Sequence, residues 1–347
     1  MSSKFDLLYS KNLINPPKYL KNNICYEVMM GSVAYGCSND TSDMDIYGFG
    51  IPPKNIIFPH LDGNIVGFGR KPETFDQFQQ HHIKLDKKEY DLSIYNIVKY
   101  IQLCMENNPN MIDSLFVPRR CVLFSTNVGE ILRENRKLFL HKGSWHKFKG
   151  YSFAQMHKLQ NKKINEFINM CDKYEIGYHI TEEQLENIEY IDMNNIRLPI
   201  DEMRRIISLI REVDKDGTRT KRIDNIARYG YDPKFAYHVV RLLNEVEQIL
   251  VERDLNLERN AEQLKSIRRG EWSKEKIVEY FEIKEKSLEQ IYLNSELQYG
   301  PDEDTIKQLL LNCLEEHYGD LSKVISSPDK FQNALLDIRT ILNKINI

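Results

Sequence analysis

The sequence is short of the features that would place it in several large classes. Its six cysteines, at positions 25, 37, 104, 121, 171 and 313, include no CxxC pair. That argues against a zinc ribbon, and their scatter does not suggest a dense disulfide framework. No stretch approaches the roughly 18 consecutive apolar residues that a membrane-spanning helix needs. The opening residues, MSSKFDLLYSKNL, lack the apolar core of a secretion signal. Neither charge sign dominates: 48 Lys and Arg stand against 51 Asp and Glu, a net charge of −3. The chain as a whole is therefore no polycation built to coat nucleic acid, although a local basic face survives such averaging. No repeat of fixed period and no low-complexity tract interrupts it. These absences lead to the expectation of a reduced, cytoplasmic protein that does not contact a membrane, with its oligomeric state open.

What is present divides the 347 residues near position 125. Before that point, short apolar runs alternate with Gly and Pro, as in INPPKYL, GIPPKNIIFPH and LDGNIVGFGRKP, which is the punctuation of strands and loops. After it, apolar residues recur at helical spacing, and helices are expected at 127–140, 145–174, 200–213, 233–256, 273–293, 302–315 and 328–345. Asp232-Pro233 reads as one helix start, with Pro in the first turn, and Ser273 as the cap of another. The polar segment DKDGTRTKRIDNIARYGY at 214–231 is expected to be a loop. The expected organisation is a small α/β domain over 1–125 followed by a mainly helical domain over 126–347.

The chemistry concentrates in ICYEVMMGSVAYGCSNDTSDMDIYGFGI, residues 24–51. A buried strand, ICYEVMM, delivers Gly31-Ser32 to a short helix. Gly allows a phosphate to approach the backbone closely, and the Ser32 hydroxyl adds a donor. A second strand follows, on which alternation puts Asp43 and Asp45 on one face. Two adjacent carboxylates repel each other and are costly to bury unless a cation joins them. A hard divalent ion, Mg²⁺ or Mn²⁺, suits that pair and the phosphates of a nucleoside triphosphate.

Gly31-Ser32, then Gly36, then Ser42-Asp43-x-Asp45 resembles the signature of the DNA polymerase β superfamily of nucleotidyltransferases. Tyr35 departs from it, because many members carry Arg there. Further segments resemble the RlaP/YcgL-type predicted nucleotidyltransferases associated with RNA repair. They are KEYDLSIYNIVKYIQLCMENNPNMIDSLF, GYSFAQMHKLQ and KFAYHVVRLL, within a span of about residues 24–243. The stretch after 260 carries no recognised motif.

The resemblance implies a polymerase β-like α/β (α+β) domain with a mixed sheet, followed by a helical C-terminal domain. It implies a third carboxylate from a later strand, for which Asp91 is the candidate and Glu89 the alternate, the three acids holding catalytic metal. It implies transfer of an NMP from an NTP such as ATP to an acceptor hydroxyl, with an RNA end preferred and pyrophosphate released. A protein-modifying, AMPylating enzyme and a nucleotide-binding regulatory or antitoxin-like module stay open as alternatives. In the helical half, Lys158 could meet a triphosphate, a polynucleotide phosphate or only solvent. His238 and Arg241, three residues apart on one helix, could approach the nucleotide or simply form an interface pair. Arg204-Arg205, Arg219 with Lys221-Arg222, and Arg268-Arg269 are a candidate stripe for an RNA backbone, although acids are interleaved with them. His81-His82 are read as structural.

Overall fold

In a computed structural model of the chain, the residues described are 3–38, 44–64, 69, 74–86, 88–159, 162–186, 198–213, 219–321, 338–339 and 341–342. They fall into two compact units. Unit 1 comprises Met1–Ser144, Glu252–Arg259 and Glu296–Ile347; unit 2 comprises Trp145–Val251 and Asn260–Ser295.

Unit 1 is built on a mixed five-stranded sheet. In chain order its elements are α1 (Lys4–Ser10), β1 (Ile24–Met29), α2 (Gly31–Ala34), β2 (Met44–Gly50), α3 (Lys54–Ile57), β3 (Gln77–Leu85) and β4 (Lys88–Asn96). They continue with α4 (Ile97–Met105), α5 (Pro109–Phe116), β5 (Val122–Ser125) and α6 (Asn127–Glu134). The strand order is β3-β4-β2-β1-β5. The pair β2–β4 is parallel, and the other neighbours are antiparallel. Burial follows position in the sheet. β1, flanked on both sides, is buried along its whole length. β3, at an edge, reads QFQQHHIKL and exposes most of its polar side chains. Asn96 ends β4 and caps α4 by accepting from the Val98 N–H at 3.1 Å. Asn108 caps α5 in the same way, with Pro109 in the first turn.

The chain then leaves for unit 2, which is helical: α7 (Ser144–Leu159), α8 (Lys162–Lys173), α9 (Glu182–Glu186), α10 (Ile200–Val213), α11 (Arg219–Tyr229), α12 (Pro233–Glu252), α13 (Ala261–Arg268) and α14 (Lys274–Asn294). Phe167, Cys171, Ile206, Leu209 and Ile223 form the centre of one of its cores. Asp232 accepts from the Lys234 N–H at 2.9 Å, and Ser273 accepts from the Lys276 N–H at 3.2 Å, so both expected helix starts are present. The expected loop at 214–231 is instead helix α11 over Arg219–Tyr229. Ile223 and Ile226, three apart, are buried in the core around α8 and α10. That burial outweighs the polar composition on which the loop was read.

The chain finally returns to unit 1 as α15 (Glu303–Tyr318), capped by Asp302 and burying Ile306, Leu309, Cys313 and Leu314. Compactness thus changes the chain's allegiance after Ser144, where composition suggested 125, and changes it back further on. The helix expected at 328–345 falls almost wholly outside the described residues. Among the described residues, no helix is long and apolar enough to cross a membrane.

Candidate active site

The parallel pairing of β2 with β4 brings the candidate acids together. Asp45 stands opposite Asp91 in the register, between Met44↔Tyr90 and Ile46↔Leu92. Partners in a parallel pair point to the same face, so two carboxylates more than forty positions apart in the chain share one face of the sheet. Ile46 and Leu92, on the other face, are fully buried and fix which way the acids turn. Asp43 lies outside the described residues.

Gly31 closes over this pair. Its φ is +64°, a left-handed conformation that suits Gly, and a Cβ added there would come within 2.2 Å of Asp45 Oδ2. The preceding Met30 N–H donates to the Asp45 carbonyl at 2.7 Å. The end of β1 is therefore fastened to β2 at the acid itself. Ser32 is half-buried in the next position, and its carbonyl accepts from the Cys37 N–H at 2.9 Å, which folds the loop back on itself.

Asp91 is held from the edge strand. Register breaks between Gln80 and Ile83 on β3, and His82 adopts φ +57°. The extra residue aims the His82 N–H at Asp91 Oδ1, at 2.9 Å, and brings His81 Nδ1 to 3.3 Å from Asp91 Oδ2. The His82 ring meets Glu89, the alternate third acid. The two histidines therefore orient the acids of β4. Adjacent histidines in an edge strand hint at this only weakly, because a bulge depends on the pairing partner.

The Gly31–Gly36 loop is braced from behind. The buried Tyr35 hydroxyl donates to Asp113 Oδ2 of α5 at 2.7 Å, which gives a role to the residue that departs from the family pattern. Arg120 donates to the Val33 carbonyl at 3.4–3.5 Å and pairs with Glu258 in the returning segment of unit 1.

Asp45 and Asp91 form an all-oxygen donor set beside a backbone loop that no Cβ crowds. This set fits a hard divalent ion better than a softer one. No group of three or more His, Cys, Asp and Glu side chains suited to a metal occurs among the described residues.

The remaining expected residues belong to unit 2. Lys158 is exposed near the end of α7. His238 is half-buried on α12; burial first, and then the charges of Arg241, Lys234, Arg268 and Lys158, hold its imidazole well below the usual histidine range. Arg241 is buried and reaches both oxygens of Glu245, one turn on, at 3.0 Å.

The family described as RlaP, the RNA repair pathway DNA polymerase beta family, matches residues 10–323. Among solved structures, a nucleotidyltransferase-like protein from Exiguobacterium sibiricum 255-15 is 11% identical, over 98% of this chain and 90% of that one, with a TM-score of 0.24. No curated protein matches the chain.

Proposed function

Because the chain belongs to the RNA repair pathway DNA polymerase beta family, and so to the nucleotidyltransferases of the polymerase β superfamily, we propose that it transfers an NMP from an NTP to a hydroxyl at an RNA end. The observation that carries this reading is the Asp45–Asp91 register pair closed over by Gly31.

In the reaction, the acceptor oxygen attacks the α-phosphorus. The bond from that phosphorus to the bridging oxygen breaks, and pyrophosphate leaves. Asp91 takes the acceptor proton, its carboxylate aimed by the His82 N–H and by His81. Gly31 and Ser32 lie along the triphosphate, where a missing Cβ and a hydroxyl allow close approach and donation. Asp45, Asp91 and Asp43 would hold Mg²⁺ or Mn²⁺, which when bound neutralises charge on the phosphates and acidifies the acceptor hydroxyl.

The test is incubation with each α-labelled NTP, Mg²⁺ or Mn²⁺, and either total RNA or lysate protein. Label on RNA, lost in Asp45→Ala, supports the proposal. Label on protein alone would replace the acceptor. Binding of NTP without any labelled acceptor would favour a regulatory module.

A further inference from the structure

The edge strand β3 turns two different rows of side chains to the two faces of the sheet. Phe78 and Gln80 face the α1 side. The Phe78 ring meets Phe5 edge-on at 6.4 Å, and Gln80 Nε2 donates to the Leu13 carbonyl at 2.8 Å. The other row is Gln77, Gln79, His81 and Lys84, and all four are exposed. Gln77 stands opposite Tyr95, Gln79 opposite Ser93 and Lys84 opposite Glu89. Glu89, Asp91, Ser93 and Tyr95 are two apart along β4, so this row lies on the face that carries the acids.

Guarding the edge does not account for the row. An edge strand is kept from pairing with other chains by charge, by Pro or by a bulge, and the bulge at His82 and the charge of Lys84 already serve that end. Gln77 and Gln79 add no charge. They add amides, each with a donor and an acceptor side by side, the pattern that matches the edge of a nucleobase. Among the described residues the Gln77 amide makes no hydrogen bond, and Gln79 makes one long one, from Nε2 to Ser93 Oγ at 3.4 Å. Lys84 has no ion-pair partner among them either. Glu89, opposite it, is taken by the His82 ring, and Asp91 by the His82 N–H and His81.

Position decides what these groups meet. In the proposed reaction the acceptor oxygen sits at Asp91 while the triphosphate lies along Gly31 and Ser32, on the β1 side. A polymeric acceptor then leaves the acids across β4 and β3, where the sheet ends. Gln79 is roughly 7 Å along the strand from the acid pair, and the row from Lys84 to Gln77 spans roughly 20 Å. A single nucleotide is too small to use that length. A duplex would have its base edges engaged in pairing. A peptide added as a further strand would meet the bulge.

We propose that the acid-facing row of β3 is the track of a single-stranded RNA acceptor. The terminal nucleotide lies at Asp91 with Lys84 on a phosphate, and the nucleotides behind it have their bases at Gln79 and Gln77. This track rests on the reading of an RNA end as acceptor and locates the rest of that RNA.

The test photo-crosslinks a labelled 12-nucleotide RNA to the full chain carrying p-benzoylphenylalanine in place of Gln77. The control puts the same group at Lys21, which lies over the Tyr9 ring on the α1 side of the sheet. A crosslink at 77 and none at 21 is expected. Steady-state transfer to the same RNA gives a second readout in Gln77→Ala/Gln79→Ala and in Lys84→Ala. KM for RNA should rise about fivefold or more, with kcat and KM for NTP within about twofold, because the lost contacts hold ground state and transition state alike. A melting midpoint equal to the parent's shows that the variants are folded, and Lys84→Ala alone carries the kinetics if the double variant is not. Label on RNA without a crosslink at 77, with equal crosslinking at 21, or with KM unchanged overturns the track and leaves the transfer reading standing. A crosslink confined to 77 with no label on RNA does the reverse. Neither crosslink nor label on RNA, with labelling of lysate protein that falls in these variants, gives the row to a protein acceptor and overturns both.

Discussion

At Gly31, two requirements meet in one atom that is absent. The positive φ strains any other residue, and a Cβ would strike the Asp45 carboxylate. Gly31→Ala is therefore expected to displace Asp45 at a cost of about 1–3 kcal/mol in stability. Nucleotidyl transfer should fall about 100-fold or more, since a small misplacement of reacting groups is enough for that. A transfer assay alongside a melting curve checks this; activity within fivefold of the parent would show that the Gly31–Asp45 contact is dispensable.

A second residue, Glu27, sets a pH dependence. It is fully buried on β1 and accepts from the Lys4 and Phe5 N–H groups at 2.6 and 2.8 Å. Desolvation raises its pKa to about 7, against the lowering effect of those two donors. A carboxyl with a raised folded-state pKa binds its proton more tightly when folded. Its contribution is thus fully present below about 4.5 and is lost as pH rises through about 7. The stability of the parent relative to Glu27→Gln should fall over that window by at most roughly 3 kcal/mol. Urea titrations from pH 4.5 to 8 measure it, and a flat difference would contradict the buried-acid assignment.

At the scale of elements, the Tyr35–Asp113 bond ties the Gly31–Gly36 loop to α5 inside the core. Tyr35→Phe leaves a buried carboxylate oxygen without that donor, so a loss of about 1–3 kcal/mol is expected. Tyr35→Arg, which supplies the residue common in the family and a charge for Asp113, should recover more stability than Tyr35→Phe if the bond is what matters. Equal melting midpoints for Tyr35→Phe and the parent would rule it out. The edge strand works similarly, since its bulge at His82 turns a backbone donor toward Asp91.

How much of this could be read beforehand depended on the range of the interaction. Alternation along a strand was enough to put Asp43 and Asp45 on one face, a strand-to-helix turn marked Gly31, and Asp91 was a candidate only through the resemblance. The in-register pairing of Asp45 with Asp91 was not legible, because it depends on which strands become neighbours. Tyr35 looked like a mere departure until Asp113, far along the chain, supplied its partner. The α11 helix was missed because Ile223 and Ile226 become a core only when α8 and α10 cover them.

For the molecule as a whole, the change of composition near 125 was visible, but the return of the chain to unit 1 was not. The apolar residues of α15 require a buried face without stating against what. Ile306, Leu309, Cys313 and Leu314 are buried in the structure, Asn127 of α6 donates to Glu316 at 2.9 Å, and the Lys142 N–H donates to the Gln298 carbonyl at 2.8 Å. Burial of each large apolar side chain is worth about 1.5–3 kcal/mol, so α15 contributes an amount comparable to the whole stability of a domain. A chain ending at Ser295 should lose cooperative unfolding of unit 1 in calorimetry. A melting midpoint within 2 °C of the parent's would show that α15 is not needed.

That discontinuity carries a timing consequence for a chain made from one end. As synthesis proceeds on the ribosome, the strands bearing Asp45 and Asp91 emerge first, and unit 2 is complete once Ser295 has been added. The sheet must then wait for α15 before its own core can close. A stalled or prematurely ended polypeptide would thus carry the acids without the packing that holds them in register. Newly made protein becomes a catalyst only once α15 has been added.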